Sequence, residues 1–110
     1  MSTRIDVNKV APGAFRAIFG LEKYVHESGL ELSLLHLVKM RASQINGCAY
    51  CLDMHSIDAR AEDETEQRLY TLNAWAETPF FSDREHAALA WTEAVTNVSQ
   101  THVPDQCLRK

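Results

Sequence analysis

Apolar residues in this chain recur at intervals of three and four and do not alternate over any useful length. That spacing lines them up on helix faces and denies a sheet the two-residue period it needs. The pattern predicts an all-α fold, a compact bundle of about five to six helices. The first spans about Pro12 to His26, with proline in a first-turn position and Phe15, Ile18, Phe19, Tyr24 and Val25 at helical spacing; it stops near Ser28-Gly29. A second, about Glu31 to Asn46, sets Leu34, Leu35, Val38, Ala42 and Ile45 on one stripe while Lys39 and Ser43 turn to solvent, and Asn46-Gly47 breaks it. A third begins directly after that break, about Cys48 to Ala61. A fourth is capped within Asp63 to Glu66, ends near Trp75 and is closed by Pro79. The fifth opens on a capping box, Ser82-Asp83-Arg84-Glu85, and carries Ala87, Ala88, Trp91, Ala94, Val95 and Val98 on one face. From about Gln100 the pattern lapses, so residues 100–110 are expected to form an irregular tail on a single domain covering 1–110.

A chain of 110 residues supports one core. With 45% hydrophobic and 24% charged residues it has the means to fold. The net charge of −4 is made of scattered residues, with no basic stripe, which argues against nucleic acid as a partner. The stretch from Met1 to Phe19 carries Arg4, Asp6, Lys9 and Arg16 and lacks the apolar block of a secretory signal. No segment approaches the roughly 18 apolar residues of a membrane span. The expected location is cytoplasmic, where ordinary thiols stay reduced. Three cysteines there are not a disulfide framework, and a close pair points to redox chemistry or to a metal.

Cys48-Ala49-Tyr50-Cys51 is such a pair, and His55 lies four residues beyond the second sulfur. On a helix these three residues form one short row. The preceding Asn46-Gly47 break puts both sulfurs in the first turns, where unpaired backbone N–H groups and the macrodipole favour an anion. A free cysteine titrates near about 8.5, and such surroundings lower that by one unit or more. The thiolate is the attacking species, so the row holds a nucleophile, a proton-handling group and a second thiol that closes a disulfide. Cys51, nearer to His55, is the candidate attacking thiol; Cys48 is the candidate resolving thiol.

The run Leu34-Leu35-His36-Leu37-Val38-Lys39-Met40-Arg41-Ala42-Ser43-Gln44-Ile45-Asn46-Gly47-Cys48-Ala49-Tyr50-Cys51-Leu52-Asp53-Met54-His55 resembles the AhpD-like alkylhydroperoxidases of the carboxymuconolactone decarboxylase superfamily. The resemblance continues more weakly through Glu64 to Trp75 and Glu85 to Asn97. It implies an all-α homo-oligomer, trimer or hexamer, that acts on a hydroperoxide or disulfide without a bound cofactor. Electrons would come from an external dithiol, a lipoylated or thioredoxin-like protein. By resemblance Cys51 is the peroxide-attacking cysteine, Cys48 the resolving one and His55 a member of the proton relay. The chain departs from the family pattern in three places. His36 stands where relatives usually carry a glutamate, twelve residues before the first cysteine, and it becomes the fourth candidate catalytic residue. Tyr50 stands where the best-studied members have a histidine. Relatives usually continue past the counterpart of Pro104 into another apolar helix, and subunit contacts are expected to cover the surface this leaves.

Three other readings stay open. The two cysteines could be buried thiols acting as small hydrophobes. They could join His55 and His36 in a structural zinc site, although such sites commonly pair two knuckles. A lactone decarboxylase of the same superfamily is the third, but those members lack the cysteine pair. Asp58, one turn past His55, is placed to orient the imidazole. Lys39 and Ser43 either border the pocket or form a solvated face. Trp75 and Trp91 read as core or interface anchors, His26, His86 and His102 as solvent-facing, and Cys107 as incidental.

Overall fold

A computed structural model describes residues 4–109, and among them regular structure is entirely helical, with no strand. Its α-helices are α1 Val7–Val10, α2 Pro12–His26, α3 Leu32–Asn46, α4 Ala49–Ala61, α5 Glu66–Thr71, α6 Asp83–Thr96 and α7 Val98–Thr101, with 3-10 turns at Leu72–Glu77 and Asp105–Arg109. The all-α expectation holds. No helix among the described residues is long and apolar enough to cross a membrane.

The chain divides between Leu30 and Glu31 into two compact units. In the first, α1 starts at an Asp6 cap and Pro12 opens α2. Phe15 and Phe19 pack ring on ring at 4.7 Å, and Gly29, at φ +95°, follows the end of α2. Ile18, Phe19 and Tyr24, apolar residues at helical spacing, are exposed. Within this unit α2 has as helical neighbour just the four-residue α1, too short to cover an apolar face.

The second unit is built around α3, with α4 and α6 packed against it and the Leu72–Glu77 turn beside it. Leu37, Leu72 and Leu89 are fully buried, and Met40, Ala59, Leu69, Trp75 and Phe81 complete the cluster. Each such leucine contributes about 1.5–3 kcal/mol of burial free energy. The central position of α3 corrects the expected stripe. Leu37 and Met40 are buried as well as Leu34 and Leu35, and Ser43, expected to face solvent, is buried too. A helix covered on more than one side buries more of its circumference than one period marks.

On α6 the buried residues are Leu89, Thr92 and Ala94, while Trp91 and Val95 lie exposed, as does Val98 at the start of α7. Of the expected apolar face Ala94 is buried and Ala87 and Ala88 half-buried, while Trp91 and Val95 are exposed, because a helix this rich in alanine marks its buried side weakly. The Ser82–Glu85 capping box is present as expected. The fourth expected helix is α5, capped by the Thr65 side chain, running into the Leu72–Glu77 turn with a non-helical backbone at Ala74. The expected irregular tail instead ends in a 3-10 turn lying along α6. Pro104 starts it, its carbonyl accepting the Cys107 N–H at 2.9 Å.

Two polar clusters tie the second unit together. Arg41 Nε donates to Glu93 Oε1 at 2.9 Å, and its Nη1 reaches Gln44 Oε1 at 2.9 Å and Asn73 Oδ1 at 2.8 Å. Trp75 Nε1 donates to the same Glu93 oxygen at 2.7 Å. His86, expected to face solvent, is half-buried with its ring edge-on to Trp75 at 5.1 Å. In the other cluster Arg68 lies over the Phe81 ring and sits between Glu85 and the buried Glu64.

Candidate active site

The turn joining α3 to α4 decides where the sulfurs sit. Gly47 ends α3 in the left-handed region, at φ 65° and ψ 34°. Its N–H reaches the Gln44 carbonyl at 3.3 Å, and the Cys48 N–H reaches that of Ser43 at 3.1 Å. This Schellman-type ending satisfies carbonyls that the helix leaves open. A β-carbon at residue 47 would meet nothing within 4 Å, so Gly47→Ala is expected to cost backbone strain alone. The loss is about 1–2 kcal/mol, read as a lowered urea midpoint with unchanged slope.

Cys48 is at once the residue after the turn and the N-cap of α4, extended at φ −90° and ψ 100°. Its carbonyl accepts the Leu52 N–H at 3.0 Å and its Sγ accepts the Cys51 N–H at 3.2 Å. Cys48 and Cys51 are joined in a disulfide, with Cα atoms 5.3 Å apart. Both cysteines are half-buried and therefore open to a small reactant. The reading of two sealed apolar thiols fails on that point. Tyr50, between them in the sequence, is 64% exposed.

His55 follows Cys51 by one turn of α4 and is half-buried. Helix geometry puts their Cβ atoms about 5–6 Å apart. Asp58 is exposed on the next turn. His36 is on α3, half-buried. Ten residues of that helix, or roughly 15 Å of axis, separate it from Asn46 and the turn that carries the sulfurs. Three of the four candidates lie on α4 or at its cap, and the fourth is on α3, the helix packed against it. Among the described residues no group of three or more His, Cys, Asp or Glu side chains is arranged to hold a metal ion.

Two features escaped the sequence. Ser43 anchors the sulfur-bearing turn through its carbonyl, and its buried Oγ donates to the Lys39 carbonyl at 2.6 Å. Arg41 braces the last turn of α3 through Gln44, whose carbonyl receives the Gly47 N–H. No short-range signal announces the Arg41 brace, since Arg41 and Glu93 are 52 residues apart.

A carboxymuconolactone decarboxylase family model matches residues 12–94. The uncharacterised protein YdfG of Bacillus subtilis is 43% identical over 106 residues, which cover 96% of this chain and 72% of YdfG. The uncharacterised protein YnjA of Escherichia coli is 30% identical over 69 residues, 63% of this chain and 38% of YnjA. A crystal structure of Agrobacterium tumefaciens ATU0492 matches at 44% identity and a TM-score of 0.89, over 97% of this chain and 73% of that one. ATU0492 is described as of unknown function and as a proposed antioxidant defence protein AhpD.

Proposed function

The chain belongs to the carboxymuconolactone decarboxylase family, on its AhpD-like side, and from that premise we propose that it is a thiol-dependent peroxidase or disulfide oxidoreductase cycling the Cys48–Cys51 pair. The observation that carries the reading is the disulfide at the head of α4, half-buried, with His55 one turn beyond.

In the cycle, the Cys51 thiolate attacks the distal oxygen of a hydroperoxide, breaking the O–O bond, and the departing alkoxide takes a proton from His55. Cys51 is left as a sulfenic acid. Cys48 then attacks that sulfur, water leaves, and the disulfide forms. An external dithiol returns two electrons and is itself oxidised to a disulfide. His36, on the helix packed against α4, would take part in the proton relay, as its family position implies. Replacing it with glutamate tests that part through the pH profile.

The family match runs across both compact units, from residue 12 to 94, which supports treating them as one AhpD-like domain. Trp91, Val95 and Val98 leave an exposed apolar edge, in keeping with assembly into trimers or hexamers. Light scattering is expected to give a mass of at least three chains. A pair that must be re-reduced each turn suits a cytoplasmic setting. A lactone decarboxylase would leave the pair without a use.

The decisive assay is consumption of an alkyl hydroperoxide coupled to dihydrolipoamide, with free thiols counted after one equivalent of peroxide. Loss of two thiols per chain with sustained turnover is the expected result. Thiols that survive the peroxide, or turnover equal to the protein-free rate, would exclude the reading.

A further inference from the structure

If the redox reading above holds, the balance between the Cys48–Cys51 disulfide and its dithiol form depends on the elbow that carries the pair. We propose that Arg41 is a positioning residue for that pair: by tying Gln44, near the end of α3, to Glu93 and Asn73, it keeps the two reduced sulfurs within closing distance and so favours the disulfide.

A helix is held least at its end, where the last carbonyls have no intrahelical donor. In α3 two of those carbonyls carry the elbow: that of Gln44 accepts the Gly47 N–H at 3.3 Å, and that of Ser43 accepts the Cys48 N–H at 3.1 Å. Cys48 is therefore fixed on this side no better than the last turn of α3. Ser43 is the last buried residue of that helix; Gln44 and Ile45 are half-buried, and Asn46 and Gly47 are exposed. Apolar packing alone does not clamp the turn.

A side-chain network does. Arg41 Nη1 donates to Gln44 Oε1 at 2.9 Å and to Asn73 Oδ1 at 2.8 Å, while its Nε and Nη2 each reach Glu93 Oε1 at 2.9 Å. Glu93 lies on α6 and Asn73 in the Leu72–Glu77 turn, both packed against α3, and Glu93 is held in turn by Trp75 Nε1. The Arg41 side chain is 13% exposed, and its rigid fork of five donors serves three acceptors at once in fixed directions. None of these contacts involves a sulfur, so none is broken when the disulfide opens.

Closing a disulfide within one chain is favoured by effective concentration, which rises as the two thiols are held closer to the bonding geometry. Equilibrium with glutathione reads that quantity. Two glutathione thiols give two electrons and two protons to the Cys48–Cys51 bond, leaving two protein thiols and one glutathione disulfide. In the oxidised protein the sulfur–sulfur bond itself holds Cys48 to α4, so releasing Gln44 loosens chiefly the dithiol form. The dithiol gains freedom, and the disulfide becomes easier to reduce.

The test uses no peroxide. In a Cys107→Ser background, Gln44→Met keeps the Arg41–Glu93 ion pair and a good helix former while removing the acceptor that links Arg41 to the last turn. Arg41→Lys keeps the charge and loses the fork. Glu85→Gln weakens the other polar cluster and controls for a general loss of stability. Each protein is equilibrated with reduced and oxidised glutathione, quenched in acid, alkylated and weighed by mass spectrometry. Gln44→Met and Arg41→Lys are expected to shift the equilibrium toward the dithiol by about tenfold, a potential about 30 mV less negative, with Glu85→Gln at the parent value. An unmoved equilibrium in Gln44→Met or Arg41→Lys, or an equal shift in Glu85→Gln, would overturn the positioning role and leave the redox reading standing. A parent pair that does not equilibrate with glutathione at all would sink both.

Discussion

Serine in place of Cys51 is expected to lower dihydrolipoamide-dependent peroxide consumption by at least about 10³-fold, to the protein-free background. A hydroxyl one bond from the same backbone cannot be oxidised to a sulfenic acid, so the first step has no nucleophile. Cys48→Ser differs in kind: a single round of peroxide reduction survives at Cys51, and sustained turnover stops for want of the resolving thiol. Stopped-flow single turnover beside steady state separates the two. A Cys51→Ser protein retaining more than a tenth of the parent rate would contradict the assigned roles.

The second large effect concerns stability. Arg68→Met is expected to destabilise the protein by about 3 kcal/mol or more, because it leaves Glu64 and Glu85 without their counter-ion in a largely buried cluster. Arg68 Nε faces Glu64 Oε2 at 3.1 Å, off the line of a hydrogen bond, and its Nη1 reaches Glu85 Oε1 and the Phe80 carbonyl, each at 3.2 Å. Burial alone would raise the Glu85 pKa; the hydrogen bond from Arg68, the Ser82 N–H and the guanidinium charge outweigh it and hold the carboxyl below the usual 4.5. A depressed folded-state pKa means the stabilisation is complete above that ordinary value and is lost as pH falls through the lower folded one. The parent should therefore weaken in acid below about pH 4.5 more steeply than a Glu85→Gln variant. Urea midpoints across pH provide the check, and parallel curves for the two proteins would refute this account.

The row of Cys48, Cys51 and His55 was legible in the sequence because everything defining it is local: a break at Asn46-Gly47, a helix after it and spacings of three and four. The boundaries of α2, α3, α4 and α6 were legible for the same reason, whereas the short α1 and α7 and the change to a 3-10 turn after Thr71 were not. What escaped was whatever depends on which helix packs on which. Ser43 looks like a surface residue until α3 is seen to be covered by both α4 and α6. Leu89 was overlooked on a helix whose many alanines blur its apolar face. Arg41 with Glu93 and Arg68 with Glu85 join residues distant in the chain, and no periodicity encodes such pairs. The candidacy of His36 was read from the family pattern, and its place on α3, the helix packed against α4, is what the structure adds.

Because Cys48 closes one helix and opens the next, its backbone is pinned from both directions whatever the state of its sulfur. Electron transfer here should be nearly silent in the shape of the molecule. Circular dichroism and amide exchange of the oxidised and reduced forms ought to superimpose outside the α3–α4 elbow. A regulator or repair protein that distinguishes the two forms must then probe the sulfurs themselves, since no distant surface carries the message.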